Sequence, residues 1–101
     1  MQFKIRKDRM GYNWLVCDGG LVLAFGARKS YPTELDAHEA FHMIVRDLKA
    51  GVTFMFNTRK EIGLYALETP DISPLRFATF HVNEVAAKEQ ATKVLEFIKE
   101  Q

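Results

Sequence analysis

With one cysteine, Cys17, in 101 residues, the chain can form no internal disulfide and has no cysteine cluster to hold a structural metal. That usage fits a reducing compartment. No apolar run approaches the roughly eighteen residues that span a bilayer. The charged opening from Met1 to Arg9 has no apolar stretch behind it. A cytoplasmic, unprocessed protein without membrane contact is therefore expected. Net charge is only +1, so the overall balance recruits neither nucleic acid nor membrane. Prolines number three and glycines six, too few for a linker or a low-complexity tract. The glycine spacings fit neither a Walker A loop nor a dinucleotide fingerprint: five residues separate Gly20 from Gly26, Ala27-Arg28 follows, and no G-x-G-x-x-G follows a strand. No cofactor is expected.

The residues present describe one small domain over 1–101. Apolar residues make up 48% and charged residues 27%, enough apolar surface for an ordered core. Phe3 and Ile5 alternate with Lys4 and Arg6, the period of a half-buried strand, and Asp8–Gly11 supplies a turn. Tyr12–Cys17 is a second strand. Asp18-Gly19-Gly20 then reverses the chain into Leu21–Phe25, completing a three-stranded meander. After a loop over Gly26–Pro32, Thr33 caps a helix running from about Glu34 to Lys49. Glu34 and Asp36 occupy its first turn, Gly51 stands past its end, and Ala37, Phe41, Ile44 and Leu48 form its inward stripe.

The second half predicts strands over Val52–Asn57, Gly63–Glu68 and Leu75–Val82, and a helix capped by Asn83 that runs to about Glu100. Its inward residues Ala87, Ala91, Val94 and Ile98 are those of the first helix shifted by fifty positions. The fold expected is α+β: tandem βββα repeats, about 2–50 and 52–100, forming an antiparallel sheet with two helices packed on one face.

Several separated positions in the first repeat resemble the YegP-like domain family. They are Tyr12-x-Trp14, the turn at Gly20, Val22-Leu23-Ala24, and Tyr31-x-Thr33 leading into a helix with Ala37, Ala40, Phe41 and Ile44. The likeness covers residues 3–50. It departs from the family pattern in having one residue fewer between Trp14 and Gly20, no Asn in the turn and no Trp in the second half. The resemblance implies tandem βββα units sharing a sheet; it implies no catalytic residues.

Two groups of side chains point to chemistry. His38-Glu39-Ala40-Phe41-His42 reads H-E-x-x-H on a helix, the spacing with which zinc hydrolases hold a metal and a general base. The metzincin extension is missing, because Val45 and Leu48 stand where Gly and His are required. With Phe41 at zero and about 100° per residue, His38 falls at about 60° and His42 at about 100°, the shoulder of the core stripe. A third ligand would have to be Glu68 or His81. The expected reading is two boundary histidines and a solvated Glu39, with no metal; a zinc hydrolase is the alternative.

The other group is basic. Six cations against two carboxylates lie between Met1 and Tyr31, whereas the remainder is acidic. Lys4, Arg6, Arg28 and Lys29 with Tyr12 and Tyr31 form a candidate binding surface, which single-stranded nucleic acid would suit as an alternative partner. Leu15, Cys17, Tyr65, Leu67 and Phe80 fall outside the helix-facing set and suggest an apolar second face. A non-catalytic binding or self-association module is expected, a homodimer or one with an unidentified protein partner.

Overall fold

Two tight turns shape the first half. In the turn after β1 (Gln2–Asp8), Asp8 Oδ1 accepts the backbone N–H groups of Met10 (2.7 Å) and Gly11 (3.1 Å). Gly19 and Gly20, at φ 56° and 86°, link β2 (Gly11–Asp18) to β3 (Leu21–Gly26) in the left-handed conformation that two-residue hairpins require. The computed structural model describes all residues 1–101, and no helix in it is long and apolar enough to cross a membrane.

Helix α1 (Glu34–Lys49) begins where Thr33 Oγ1 accepts the N–H of Asp36 at 3.1 Å. It ends in a Schellman motif: Gly51, at φ 90°, donates to Leu48 O and Val52 donates to Asp47 O. Helix α2 (Glu84–Lys99) begins the same way, with Asn83 Oδ1 accepting from Ala86 N at 2.7 Å. Ala37, Phe41, Ile44 and Leu48, and their counterparts Ala87, Ala91, Val94 and Ile98, are all buried. The fold is α+β.

The strands form two antiparallel sheets rather than one. Strands β4 (Asn57–Glu61) and β5 (Leu64–Glu68) pair as a hairpin, while β6 (Leu75–Phe77) joins β3 and β7 (Phe80–His81) joins β5. The orders are β1-β2-β3-β6 and β4-β5-β7. The predicted strand Leu75–Val82 thus breaks at Ala78-Thr79 and serves both sheets. Helix α1 packs on β1, β2 and β3, α2 packs on β4, β5 and β7, and the helices touch each other.

A second correction concerns Val52–Asn57. Val52–Phe56 has no ladder partner, and the strand starts only at Asn57. The alternation is real but serves anchoring: Phe54 packs on the main core and Phe56 on the smaller one. Because the hairpin turn is Ile62-Gly63, the parity of β5 puts Tyr65 and Leu67 toward α2. Leu67 is buried with Ala87 and Ala91, so neither residue belongs to a free face.

The main core joins Trp14, Val16 and Leu23 of the meander to Phe41 and Ile44 of α1 and to Leu75, Val94 and Ile98 of the second half. Phe3 stacks on Phe41 at 4.1 Å, and Trp14 meets it edge-on at 5.2 Å. The main core draws on both repeats, whereas the smaller one, around Leu67, Ala87 and Ala91, lies within the second.

Candidate functional site

Residues directly opposite in antiparallel strands share a face. The row Phe3, Val16, Ala24, Phe77 faces the helices, so the next row, Lys4, Leu15, Phe25, Arg76, faces away from them. On that open face Leu15 and Cys17 keep only 6% and 4% of their surface exposed. Lys4 and Arg6 border them, as long cationic side chains do when their stems lie along apolar surface and their charges stay in water.

Beside this trough lies a concavity of about 270 Å³. Leu15 and Phe25 contribute apolar surface to it; Arg6, Arg28 and Lys29 supply cations, with Asp8 the one acid. The loop bearing Arg28 and Lys29 is fixed by Asn13, which sequence reading overlooked. Asn13 Nδ2 donates to Gly26 O (3.2 Å) and Arg28 O (3.1 Å), and its Oδ1 accepts from Trp14 N (2.8 Å). Gly26 is required there, since a Cβ on it would fall 2.5 Å from Asn13 Oδ1 and 2.7 Å from Trp14 Nε1. An Asn two residues after a turn glycine, ahead of a Gly-Ala-Arg loop, is the only trace of this lock in the sequence.

The cations of this region are free of carboxylates. Elsewhere Arg59 pairs with Glu61 (3.0 Å) and Glu68 (2.9 Å), and Lys88 with Glu84 (3.3 Å); Lys4, Arg6, Arg28 and Lys29 make no ion pair. Arg76 is different again. Its guanidinium is occupied by Thr69 Oγ1 and the carbonyls of Pro70, Asp71, Ser73 and Leu75, at 2.9–3.2 Å.

The two tyrosines do not share the open face. Tyr12 has the parity of Trp14, and it exchanges two backbone hydrogen bonds with Tyr31, which packs on the core. Arg28 lies over the Tyr31 ring at 5.1 Å and Lys7 over the Tyr12 ring at 5.7 Å. Burial raises the Tyr31 phenol above its ordinary pKa, and the charge of Arg28 partly opposes this.

His38 and His42 lie side by side on α1, with ring centroids 4.9 Å apart. His38 is half-buried against the edge of Phe3 at 5.1 Å; His42 and Glu39 are exposed. Glu68 is held by Arg59, and His81 Nε2 lies 2.9 Å from Thr79 Oγ1. Burial lowers the His81 pKa. No three His, Cys, Asp or Glu side chains come together in a metal-holding group. Neither proposed third ligand joins the histidine pair, so the motif lacks the three-ligand set a catalytic zinc requires. Cys17 Sγ points to Gln2 O at 3.8 Å on the other sheet from His81. No protein-family model matches the chain, and neither a curated protein nor a solved structure does.

Proposed function

We propose that the chain is a non-catalytic binding domain, of the YegP-like kind, that receives an extended anionic partner on the open face of its four-stranded sheet. One observation carries the reading: Arg6, Arg28 and Lys29, none of them in an ion pair, line a concavity with Leu15 and Phe25 in its wall, and Lys4, also without an ion pair, borders the adjoining trough. Solvated cations used only for solubility have no reason to converge on one hollow, whereas a chain of phosphates gains from each of them. Single-stranded nucleic acid is the partner this suits. Phe25 offers one half-buried ring for stacking, so charge supplies most of the affinity.

Binding of a labelled single-stranded oligonucleotide tests this. With three or four phosphates neutralised, affinity should fall about 20- to 50-fold between 50 and 200 mM salt. The double variant Arg6→Glu, Arg28→Glu should abolish binding without lowering stability. Salt-insensitive binding, or none at low salt, would refute the reading.

Self-association is a second reading, supported on the other sheet. Arg59, Ala66 and Phe80 form a row on the face of β4, β5 and β7 away from α2, where Phe80 is 57% exposed and Leu64 39%. Light scattering at rising concentration, with Phe80→Lys as the control, tests the homodimer.

A further inference from the structure

The histidine pair on α1 is left without a role by the binding surface, which lies on the opposite side of the sheet. We propose that His38 and His42 form a two-imidazole chelating site for a borderline divalent transition metal ion, with water in the remaining positions.

The spacing is the first argument. Residues four apart on a helix are surface neighbours, so the rings approach without backbone cost. If two imidazoles share one ion at the usual metal–nitrogen distance, their centroids stand roughly 4.5–5.2 Å apart for angles between square and tetrahedral. The observed separation is 4.9 Å.

The second argument is the availability of ligand atoms. Neither ring makes a hydrogen bond within the protein, whereas His81, the remaining histidine, is engaged by Thr79. The edge of Phe3 holds the His38 ring, and the exposed His42 is free to turn about its last torsion. The rings now lie 27° from parallel, so His42 must rotate to aim its nitrogen at a shared ion.

The third argument fixes the class of ion and the limits of the site. Neutral imidazoles select Cu²⁺, Ni²⁺ and Zn²⁺ over Mg²⁺ and Ca²⁺, which prefer oxygen. With two protein ligands and no protein hydrogen bond orienting either ring, the ion exchanges readily and has no fixed second shell. The site therefore recruits metal and does not perform hydrolysis; Glu39 is exposed on a neighbouring part of the helix surface.

Calorimetric titration of untagged protein with Cu²⁺, Ni²⁺, Zn²⁺ and Mg²⁺ tests the proposal. One ion per chain should bind, in the order Cu²⁺ above Ni²⁺ and Zn²⁺, with no Mg²⁺ binding. Because the second ligand binds intramolecularly, His38→Ala and His42→Ala should each weaken affinity about tenfold or more, and His81→Ala should leave it unchanged. His42 is exposed, so its removal tests the site even if His38→Ala disturbs packing against Phe3. Copper broadening of amide signals confined to α1 and the adjoining β1 would support the same placement. Binding unaffected by His42→Ala, loss with His81→Ala, or no binding of any of these ions at millimolar concentration would overturn it.

Discussion

The turn Ile62-Gly63 holds a β-branched residue at φ 50° and a glycine at φ 77°, between the paired residues Glu61 and Leu64. Its counterpart in the first repeat, Gly19-Gly20, takes φ 56° and 86° between Asp18 and Leu21. The two turns share one conformation, but only one has the residue suited to it. The left-handed region costs an L-residue roughly 1–2 kcal/mol, and branching at Cβ puts isoleucine toward the upper end. Ile62 is 98% exposed, so no burial offsets that cost. Ile62→Asn, which tolerates the conformation, should stabilise the domain by about 1 kcal/mol, or roughly 4–8 °C in Tm. Ile62→Gly should gain less, because glycine adds freedom to the unfolded chain. The reciprocal change, Gly19→Ile, should cost about as much as Ile62→Gly gains, since a Cβ there meets nothing within 4 Å and only the backbone strain and the unfolded-chain entropy act. Thermal melts followed by circular dichroism, with urea slopes as a check on the unfolded state, measure both. A lower Tm for Ile62→Asn, or a neutral Gly19→Ile, would refute the strain argument.

Two further perturbations read other levels of the structure. Phe41 is 1% exposed between Phe3 and Trp14, so Phe41→Ala should cost about 3–5 kcal/mol in urea unfolding; a near-neutral result would contradict the packing of α1 on the meander. Burial depresses the His81 pKa below its unfolded value of 6.5, so the unfolded chain binds the extra proton first. The contribution is whole above pH 6.5 and is lost as pH falls toward the folded value. Tm should therefore decline on acidification from about pH 7 to 5, and His81→Gln should flatten that part of the profile. An unchanged slope in the variant would refute it.

The helices were legible because several independent signals agree at their ends. Thr33 and Asn83 are capping residues, Gly51 permits the Schellman turn, and the apolar spacing predicts the buried stripes, so α1 runs from Glu34 to Lys49 in both readings. The meander was legible from alternation and glycine turns. The second half misleads for a physical reason. Phe54 and Phe56 alternate because they anchor a strap to two cores, and periodicity cannot distinguish an anchored strap from a hydrogen-bonded strand. The turn that sets the parity of β5 is hidden because isoleucine carries no turn signal. The candidate surface was half legible. The sequence offers Lys4, Arg6, Arg28 and Lys29 as a basic group, but the parity of Tyr12 and the backbone exchange with Tyr31 remove both aromatics from it.

The break at Ala78-Thr79 explains why two similar units make one fold. A straight strand from Leu75 to Val82 could extend only one sheet. Instead Leu75 and Phe77 pair with Gly26 and Ala24, Ala78 N donates to Leu23 O at 3.0 Å, and two residues later Phe80 and His81 pair with Ala66 and Tyr65. The strand therefore carries backbone hydrogen bonds from one repeat into the other. Phe77 packs on both cores, and Leu75 is wholly buried in the main core, which residues of both repeats build. The same stitch steadies the candidate surface, because β6 gives β3 a second neighbour and leaves Phe25 and Gly26 in an interior strand. Arg76 then ties the 69–75 loop to β6 through the Thr69 hydroxyl and four carbonyls rather than through carboxylates. The second repeat contributes to the proposed binding face not by supplying ligands but by holding its inner strand in register.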